Sequence, residues 1–209
     1  MGEIKLTKNE LRNQQVRLAQ LERYLPTLQL KKAMLQAEVQ EARLEIEKLQ
    51  EHFDAQKNIV EEYAPLFTAH TSISFSEAFK IHKVHKRYEN IAGVEVPYFE
   101  SVEFQPFEYS IFDSPIWVEG AINGLKKLSE AAAAVEVGKE KKEALEKELR
   151  EVSIRVNLFE KILIPRALDN IKKIKVFLGD LQLSAVSQAK IAKAKIVSRS
   201  KRREGSANA

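Results

Sequence analysis

Residues 11–63 read LRNQQVRLAQLERYLPTLQLKKAMLQAEVQEARLEIEKLQEHFDAQKNIVEEY, and a seven-residue repeat runs through them. One set of repeat positions holds Leu11, Leu18, Leu25, Lys32, Val39, Ile46, Phe53 and Val60. The set three residues on holds Gln14, Leu21, Leu28, Leu35, Ala42, Leu49, Gln56 and Tyr63. Most of these are apolar, and the residues between them are rich in Glu, Gln, Lys and Arg. An apolar stripe sustained over so many turns marks a helix that buries one narrow seam against another helix. At about 1.5 Å per residue, some 55 residues of helix would run for about 80 Å. Thr7, with Glu10 three residues later, predicts a capping box at the start, and Pro65 predicts the end. Pro26 lacks an N–H and its ring presses on the preceding turn, so a kink or local break is expected near Tyr24–Thr27.

From Leu66 to Ser114 the pattern changes. Most of the aromatic residues fall here, and Pro65, Pro97, Pro106 and Pro115 bracket or punctuate it. Gly93-Val-Glu-Val-Pro-Tyr-Phe-Glu-Ser-Val-Glu-Phe104 alternates roughly by two, as a strand does. Phe79 to Tyr88 is a weaker strand candidate, with turn chemistry from Glu89, Asn90 and Gly93 between the two. Together they predict a β-hairpin. Two strands alone are marginal, so it should lean on the helices or on a partner.

A second helical region is expected from Ser114-Pro115, Ser as cap and Pro in the first turn, to about Ser198. Its seam reads Ala121, Gly124, Leu128, Ala131, Val135, Gly138, Lys142, Leu145, Leu149, Val152, Val156, Phe159 and Leu163. Beyond Pro165 the register moves by one, to Ala167, Ile171, Ile174, Leu178, Leu181 and Ala185. The successive four-residue steps from Phe159 through Leu163 and Ala167 to Ile171 form a stutter, which relaxes the supercoil locally. Gly120, Gly124, Ala131 to Ala134 and Gly138 would let another helix approach closely.

The expected fold is therefore mainly α: a long antiparallel two-helix coiled coil formed by the N- and C-terminal helices, with a small central β-hairpin. Three parts are expected: an N-terminal helix over 1–64, a central segment over 65–114, and a C-terminal helix with a basic tail over 115–209. Composition agrees, with 7 Gly, 6 Pro, 8% aromatic and 31% charged residues among 209. No Cys is present, so disulfides and thiolate metal sites are excluded. The opening MGEIKLTKNELRNQQ has no apolar core of a secretory signal, and no run is apolar enough to span a membrane.

The net charge of +4 is unevenly placed. Lys190, Lys193, Lys195, Arg199, Lys201, Arg202 and Arg203 crowd the C-terminal segment, and Lys5, Lys8, Arg12, Arg17 and Arg23 the opening turns. Antiparallel helices would bring the two into one basic tip. Nucleic-acid binding would place such cations against phosphates, but residues 184–209 carry no interleaved aromatics. Docking of the tip inside a protein collar, or a solvated tail, fits better.

Catalytic chemistry is hard to find. Gly120-Ala-Ile-Asn-Gly124-Leu-Lys126 is one residue short of a phosphate-binding loop and lacks its Lys-Ser/Thr ending. His82 and His85 are three apart with no carboxylate or thiolate cluster beside them, and His52 and His70 stand alone. The many Glu residues lie beside Lys on expected helix surfaces. No catalytic residue, cofactor site or metal site is assigned.

Three motifs carry a resemblance. Arg155-Val-Asn-Leu-Phe-Glu-Lys-Ile-Leu-Ile-Pro165, followed by Asn170-Ile-Lys-Lys-Ile, resembles the RVNxLExxxIP signature of the D subunits of V-type (archaeal and bacterial A-type) rotary ATPases, with Phe159 at its Leu position. Asn90-Ile-Ala-Gly-Val-Glu-Val-Pro97 is similar to that family's hairpin strand, and Thr7-Lys-Asn-Glu-Leu11 with Leu28-Gln-Leu-Lys-Lys32 to its first helix. Pro26 departs from the family pattern. The resemblance implies a non-catalytic central-stalk rotor. Its coiled coil would enter a hexamer of catalytic (A-type) and regulatory (B-type) subunits, bind the small F-type stalk subunit, and reach the membrane ring through a connecting subunit. Cytoplasmic location, peripheral to the membrane, follows, without direct nucleic-acid contact or membrane insertion. Partner-binding residues are expected in the hairpin (Gly93, Val94, Val96, Pro97), in the signature (Arg155, Asn157, Glu160, Pro165) and in the basic tail (Lys190, Lys193, Lys195). A generic coiled-coil scaffold or tether, and a nucleic-acid-binding helical protein, are the competing readings.

Overall fold

The computed structural model describes residues 4–68, 75–109 and 114–207. Helix α1 spans Lys8–Glu61, a 3-10 turn Ala64–Thr68 and a short α2 Phe75–Ala78. Strands β1 (Ile81–Ile91) and β2 (Val94–Phe104) form the hairpin; α3 (Trp117–Leu158), a π-helical turn (Phe159–Leu163) and α4 (Ile164–Ala207) follow. The fold is mainly helical, with long N- and C-terminal helices and one two-stranded antiparallel sheet, as the periodicities predict. It divides into two compact units: 1–28 with 155–209, and 29–154.

Local chemistry explains where the elements begin and end. The Glu10 N–H donates to Thr7 Oγ1 at 3.2 Å, so Thr7 caps α1. The capping box is only half made, because the Glu10 carboxylate accepts from the Gln14 amide at 2.8 Å instead. The break expected near Tyr24–Thr27 is absent: α1 is continuous through Pro26. The Thr27 hydroxyl donates to the Tyr24 carbonyl at 2.7 Å beside the missing N–H. At the far end α1 stops at Glu61, and Pro65 takes the second position of the 3-10 turn.

In the unit 29–154, α1 lies antiparallel to α3. Lys31 pairs with Glu148, Glu45 with Lys141, and a Cβ on Gly138 would meet Ile46 and Leu49. Further along, Gly124 faces Val60 and Gly120 faces Tyr63. The small residues do what their spacing implies, since a Cβ at Gly124 or Gly138 would stand only 3.3 Å from those side chains. All sixteen predicted seam residues from Leu11 to Tyr63 are buried or half-buried. Leu35 and Leu145 are fully buried, at 0% exposure, each contributing about 1.5–3 kcal/mol of transfer free energy as an upper bound.

The hairpin lies along this helix pair. β1 starts later than expected and reaches Ile91, so the turn is Ala92-Gly93, both with positive φ; of the expected turn residues Gly93 lies in it, and Glu89 and Asn90 lie in β1. Asn90 acts from the strand end, its Oδ1 accepting from the Gly93 N–H at 3.0 Å. Single extra residues, His82 on β1 and Glu100 on β2, bulge the ladder. A small core of Ala78, Val118 and Ile122 with Phe107, Tyr109 and Trp117 closes the segment between sheet and α3.

In the unit 1–28 with 155–209, α1 packs on α4 through Ala167, Ile171 and Ile174, the last fully buried. The predicted one-residue register shift takes physical form in the π turn, where the Ile164 N–H reaches back five residues to the Phe159 carbonyl. The seam then runs out. Leu181 and Ala185, predicted to continue it, are exposed, as is every side chain from Asp180 to Ser198.

Candidate partner-binding surfaces

Two surfaces stand out: the braced hairpin and the uncovered length of α4. The brace is built on Lys141. Sequence periodicity places Lys142 on the α3 seam, yet Lys141 is the more buried residue, at 5% exposure. On that face Ala133 and Val137 precede it at four-residue steps, and Val118 and Ile122 three turns earlier are buried as well. So α3 buries two stripes, one against α1 and a second toward the hairpin side.

Lys141 Nζ lies 2.7 Å from Glu45 Oε2 on α1 and 4.0 Å from the Tyr98 ring centroid on β2. One cation thus joins α1, α3 and the hairpin. Burial pulls its pKa down, but hydrogen bonds to Glu45 and Tyr98 outweigh this and hold it above the usual lysine value. Lys86 on β1 adds a pair with Glu140 on α3 at 2.5 Å, and Lys126 Nζ stands 5.8 Å from the Phe104 ring centroid. An apolar cleft of about 530 Å3, lined by Phe79, Ile81, Val84, Ala132, Ala133 and Val137, opens beside β1. On the helix pair, Arg43 Nη2 and Glu146 Oε1 are 2.9 Å apart, and Arg43 holds the Glu146 carboxyl below its ordinary value.

This brace determines what the hairpin offers outward. Val96 and Pro97 are buried inside the unit, Val94 is half-buried, and Gly93 at the turn is exposed. His85 Nε2 sits 3.0 Å from Glu103 Oε1, and His82 is exposed. Among the described residues no group of three metal-ligating side chains converges. His70 lies outside the described residues.

On the second surface, Arg155, Asn157, Glu160 and Pro165 all lie exposed around the π turn. Ile154, Leu158 and Ile162 are exposed as well. Further on, α4 presents Leu181, Leu183, Val186, Ile191, Ile196 and Val197, each at least 45% exposed. Lys190, Lys193 and Lys195 share this stretch, and no Asp or Glu occurs from Leu181 to Arg203. The side chains of Arg199, Lys201, Arg202 and Arg203 lie outside the described residues. The single basic tip is not formed by the described side chains, because the paired seam ends before Asp180 whereas the basic run starts at Lys190. Sequence reading registered the lysines and missed the uncovered apolar residues between them. The missing acids were the available signal, because a free-standing surface helix normally carries both signs of charge. No described helix is long and apolar enough to cross a membrane.

Comparison with known proteins accords with these features. Residues 10–194 match the family of ATP synthase D subunits. The V-type ATP synthase D subunit of Chlamydia caviae is 43% identical over 204 residues, covering 97% of this chain and 98% of that protein. The protein of the same name from Chlamydia pneumoniae is 44% identical over 195 residues, 93% of each chain. That from Chlamydia trachomatis serovar L2 is 43% identical over 197 residues, 93% of this chain and 97% of its own. The match spans both long helices and the hairpin between them, and the chain belongs to the family of ATP synthase D subunits.

Proposed function

We propose that this chain is the central-stalk rotor of a V-type rotary ATPase or ATP synthase, without catalysis of its own. It passes torque between the catalytic hexamer and the membrane ion-translocating ring, coupling ATP synthesis or hydrolysis to ion transport. The observation that carries the reading, beyond family membership, is the stretch of α4 from Asp180 to Ser198, helical, uncovered and both apolar and cationic. A lone helix of this kind calls for a surrounding sleeve with an apolar lining and acidic groups, as a collar of A- and B-type subunits would provide. A shaft whose faces differ makes different contacts with each surrounding subunit at each angle, and differential contact shifts each toward one conformation.

In this reading 1–64 and 115–209 are the shaft, and 65–114 the element for partners below the collar. Gly93 and Val94 at the hairpin tip, and Arg155, Asn157, Glu160 and Pro165 around the π turn, are candidates for contact with the small stalk subunit and the connector to the ring. Lys190, Lys193 and Lys195 belong to the collar contact. The chain works on the cytoplasmic side, peripheral to the membrane.

The test is a pull-down of the tagged chain from its native extract, with the co-purifying proteins identified by mass spectrometry. Stoichiometric recovery of the large nucleotide-binding subunits and a small stalk subunit is expected. A folded chain that recovers none of them overturns the proposal. In the assembled complex, Lys190→Glu with Lys193→Glu and Lys195→Glu should alter the coupling of hydrolysis to ion transport while the stalk still assembles; loss of assembly would refute that role.

A further inference from the structure

We propose that the open edge of β1, from Val84 to Asn90, takes up an extended acidic segment of a partner protein as a third strand. Among the described residues β1 pairs with β2 alone, so the sheet has two open edges, both within the unit 29–154. The register decides which backbone groups each edge offers. Ile91 and Val94 close the two-residue turn as a hydrogen-bonded pair, and such pairs alternate with pairs whose N–H and C=O groups point away from each other. Tyr88 stands opposite Pro97, which has no N–H to give, so this pair is of the outward kind. Val84, Lys86, Tyr88 and Asn90 therefore present their backbone groups along the outer edge of β1. None of them makes a backbone hydrogen bond outside the hairpin among the described residues.

The two edges are not alike. Natural sheets blunt an open edge with proline, bulges or charges. On β2, Pro97 deletes a donor in mid-strand and Glu100 bulges the ladder. Between Val84 and Asn90, β1 has neither a proline nor a bulged residue. Lys86, the one charged residue among the four, is drawn to Glu140 on α3.

Side chains beside this edge select the occupant. The apolar cleft of about 530 Å3 includes Val84 from the edge itself, with Phe79 and Ile81 before it and Ala132, Ala133 and Val137 from α3. Alternate side chains of an added strand point to one face, so every second residue can enter the cleft. The acids lining the cleft are already engaged, Glu140 by Lys86 and Glu136 by Lys139. Lys80 and Lys83 are exposed and form no ion pair among the described residues. Glu103, opposite Lys83 in the ladder, holds His85 instead. Uncompensated cations beside an apolar cleft match a strand that alternates acidic and apolar residues.

A second copy of this chain meets these terms poorly. β1 against β1 would set Lys83, Lys86 and Arg87 against their own kind, and β2 would bring Pro97 to the new ladder. At about 3.3 Å per residue, the edge runs for about 20 Å and takes a segment of about seven residues. The proposal does not rest on the rotor reading.

The test is fluorescence anisotropy of short labelled synthetic peptides titrated with the full chain. One peptide alternates Glu and Val, a second alternates Lys and Val, and a third is the first with its amides N-methylated. The Glu–Val peptide should bind saturably, the Lys–Val peptide about tenfold more weakly, and the N-methylated peptide not at all. Tyr88→Pro removes one outward N–H, as Pro97 does on β2, and should weaken Glu–Val binding about tenfold. Tyr88→Ala keeps that N–H and should lose much less. Lys80→Glu with Lys83→Glu should weaken the Glu–Val peptide and strengthen the Lys–Val one, with Trp117 melting curves showing that each variant is folded. No binding of the Glu–Val peptide, undiminished binding of the N-methylated one, or equal losses in Tyr88→Ala and Tyr88→Pro would each overturn the proposal. So would sedimentation of the chain alone as a dimer that Tyr88→Pro dissolves, which would make a second copy the occupant.

Discussion

Replacing Glu45 by Ala removes the counter-charge of Lys141 and leaves its ammonium with Tyr98 alone. The Lys141 side chain is 7% exposed and that of Glu45 41% exposed, so the two ends of the pair are not equivalent. Breaking a fully buried pair by removing one partner costs about 3–5 kcal/mol, because a charge stays behind in a poor solvent. Water can approach from the Glu45 side, which lowers the figure to about 2–3 kcal/mol. Lys141→Met leaves no buried charge. Met follows much of the lysine stem, and Glu45, already partly hydrated, returns to water at a cost of about 0–1 kcal/mol. The unit 29–154 is intermediate in size, so each kcal/mol moves its melting point by about 4 °C. Glu45→Ala should therefore lower the midpoint by about 8–12 °C and Lys141→Met by about 4 °C or less, with the double variant close to Lys141→Met. Trp117 is the only tryptophan and sits in this unit, so its fluorescence follows that unit during thermal unfolding of the full chain. If Lys141→Met costs as much as Glu45→Ala, the pair is not a buried cation held by an exposed acid, and the brace is wrongly described.

Gly138→Val should cost about 1–3 kcal/mol in urea unfolding, because even a Cβ there stands 3.3 Å from Ile46 and Leu49 and two more methyls have nowhere to go. Ile174→Ala should destabilise the unit 1–28 with 155–209 by about 2–4 kcal/mol, whereas Leu181→Ala, two turns on but exposed, should stay within about 0.5 kcal/mol; hydrogen exchange along α4 separates the two. The raised Lys141 pKa means that its stabilising contribution is fully present below the ordinary 10.5 and is lost as pH rises through the higher folded value. Melting points in alkaline buffer should accordingly fall more for the parent than for Lys141→Met. For Glu146 the shift is downward, so its small contribution is present above 4.5 and disappears as acid takes the pH through the lower folded value; Arg43→Gln should flatten that acid limb.

Much of the fold was legible because a two-helix seam forces a fixed spacing. Leu11 through Tyr63 and Ala121 through Leu163 could be read before any contact was known, and so could the one-residue slip past Pro165. The hairpin was legible from alternation, but its turn was placed early, since Glu89 and Asn90 look like turn residues while the positive φ falls on Ala92 and Gly93. What spacing could not supply was non-local. The run Ala131-Ala-Ala-Ala-Val-Glu-Val137 is too apolar for one seam, and only the position of the hairpin shows which stripe faces which neighbour. Lys141 rather than Lys142 is buried for that reason. The hairpin residues chosen as partner-facing included Val96, which the same packing takes inside at 0% exposure.

The π turn links these features to the proposed role. Continued on the pattern that serves Val152, Val156, Phe159 and Leu163, the seam would next use Arg166, Asn170, Lys173 and Phe177. Three of these are exposed and one, Asn170, is buried, whereas Ala167, Ile171 and Ile174 are buried and Leu178 half-buried. One extra residue in a helical turn rotates everything beyond it by about 100°, which turns a cationic face away from the seam and an aliphatic one toward it. Pro165 favours the insertion, because it has no N–H to give the Lys161 carbonyl in an ordinary α turn. The same rotation sets the direction in which α4 leaves the seam, and so fixes which faces of residues 180–198 carry Leu183, Ile191 and Lys195. Beyond Asp180 that stretch has no acid with which to form an i, i+4 pair and no described neighbour to bury it. In water alone it has little beyond intrinsic propensity to hold it helical. In the proposed complex, a partner whose surface matches the phase that the π turn imposes would hold it helical. In the assembled complex, regularising that turn by Pro165→Ala should misalign the far contact before it weakens the near one.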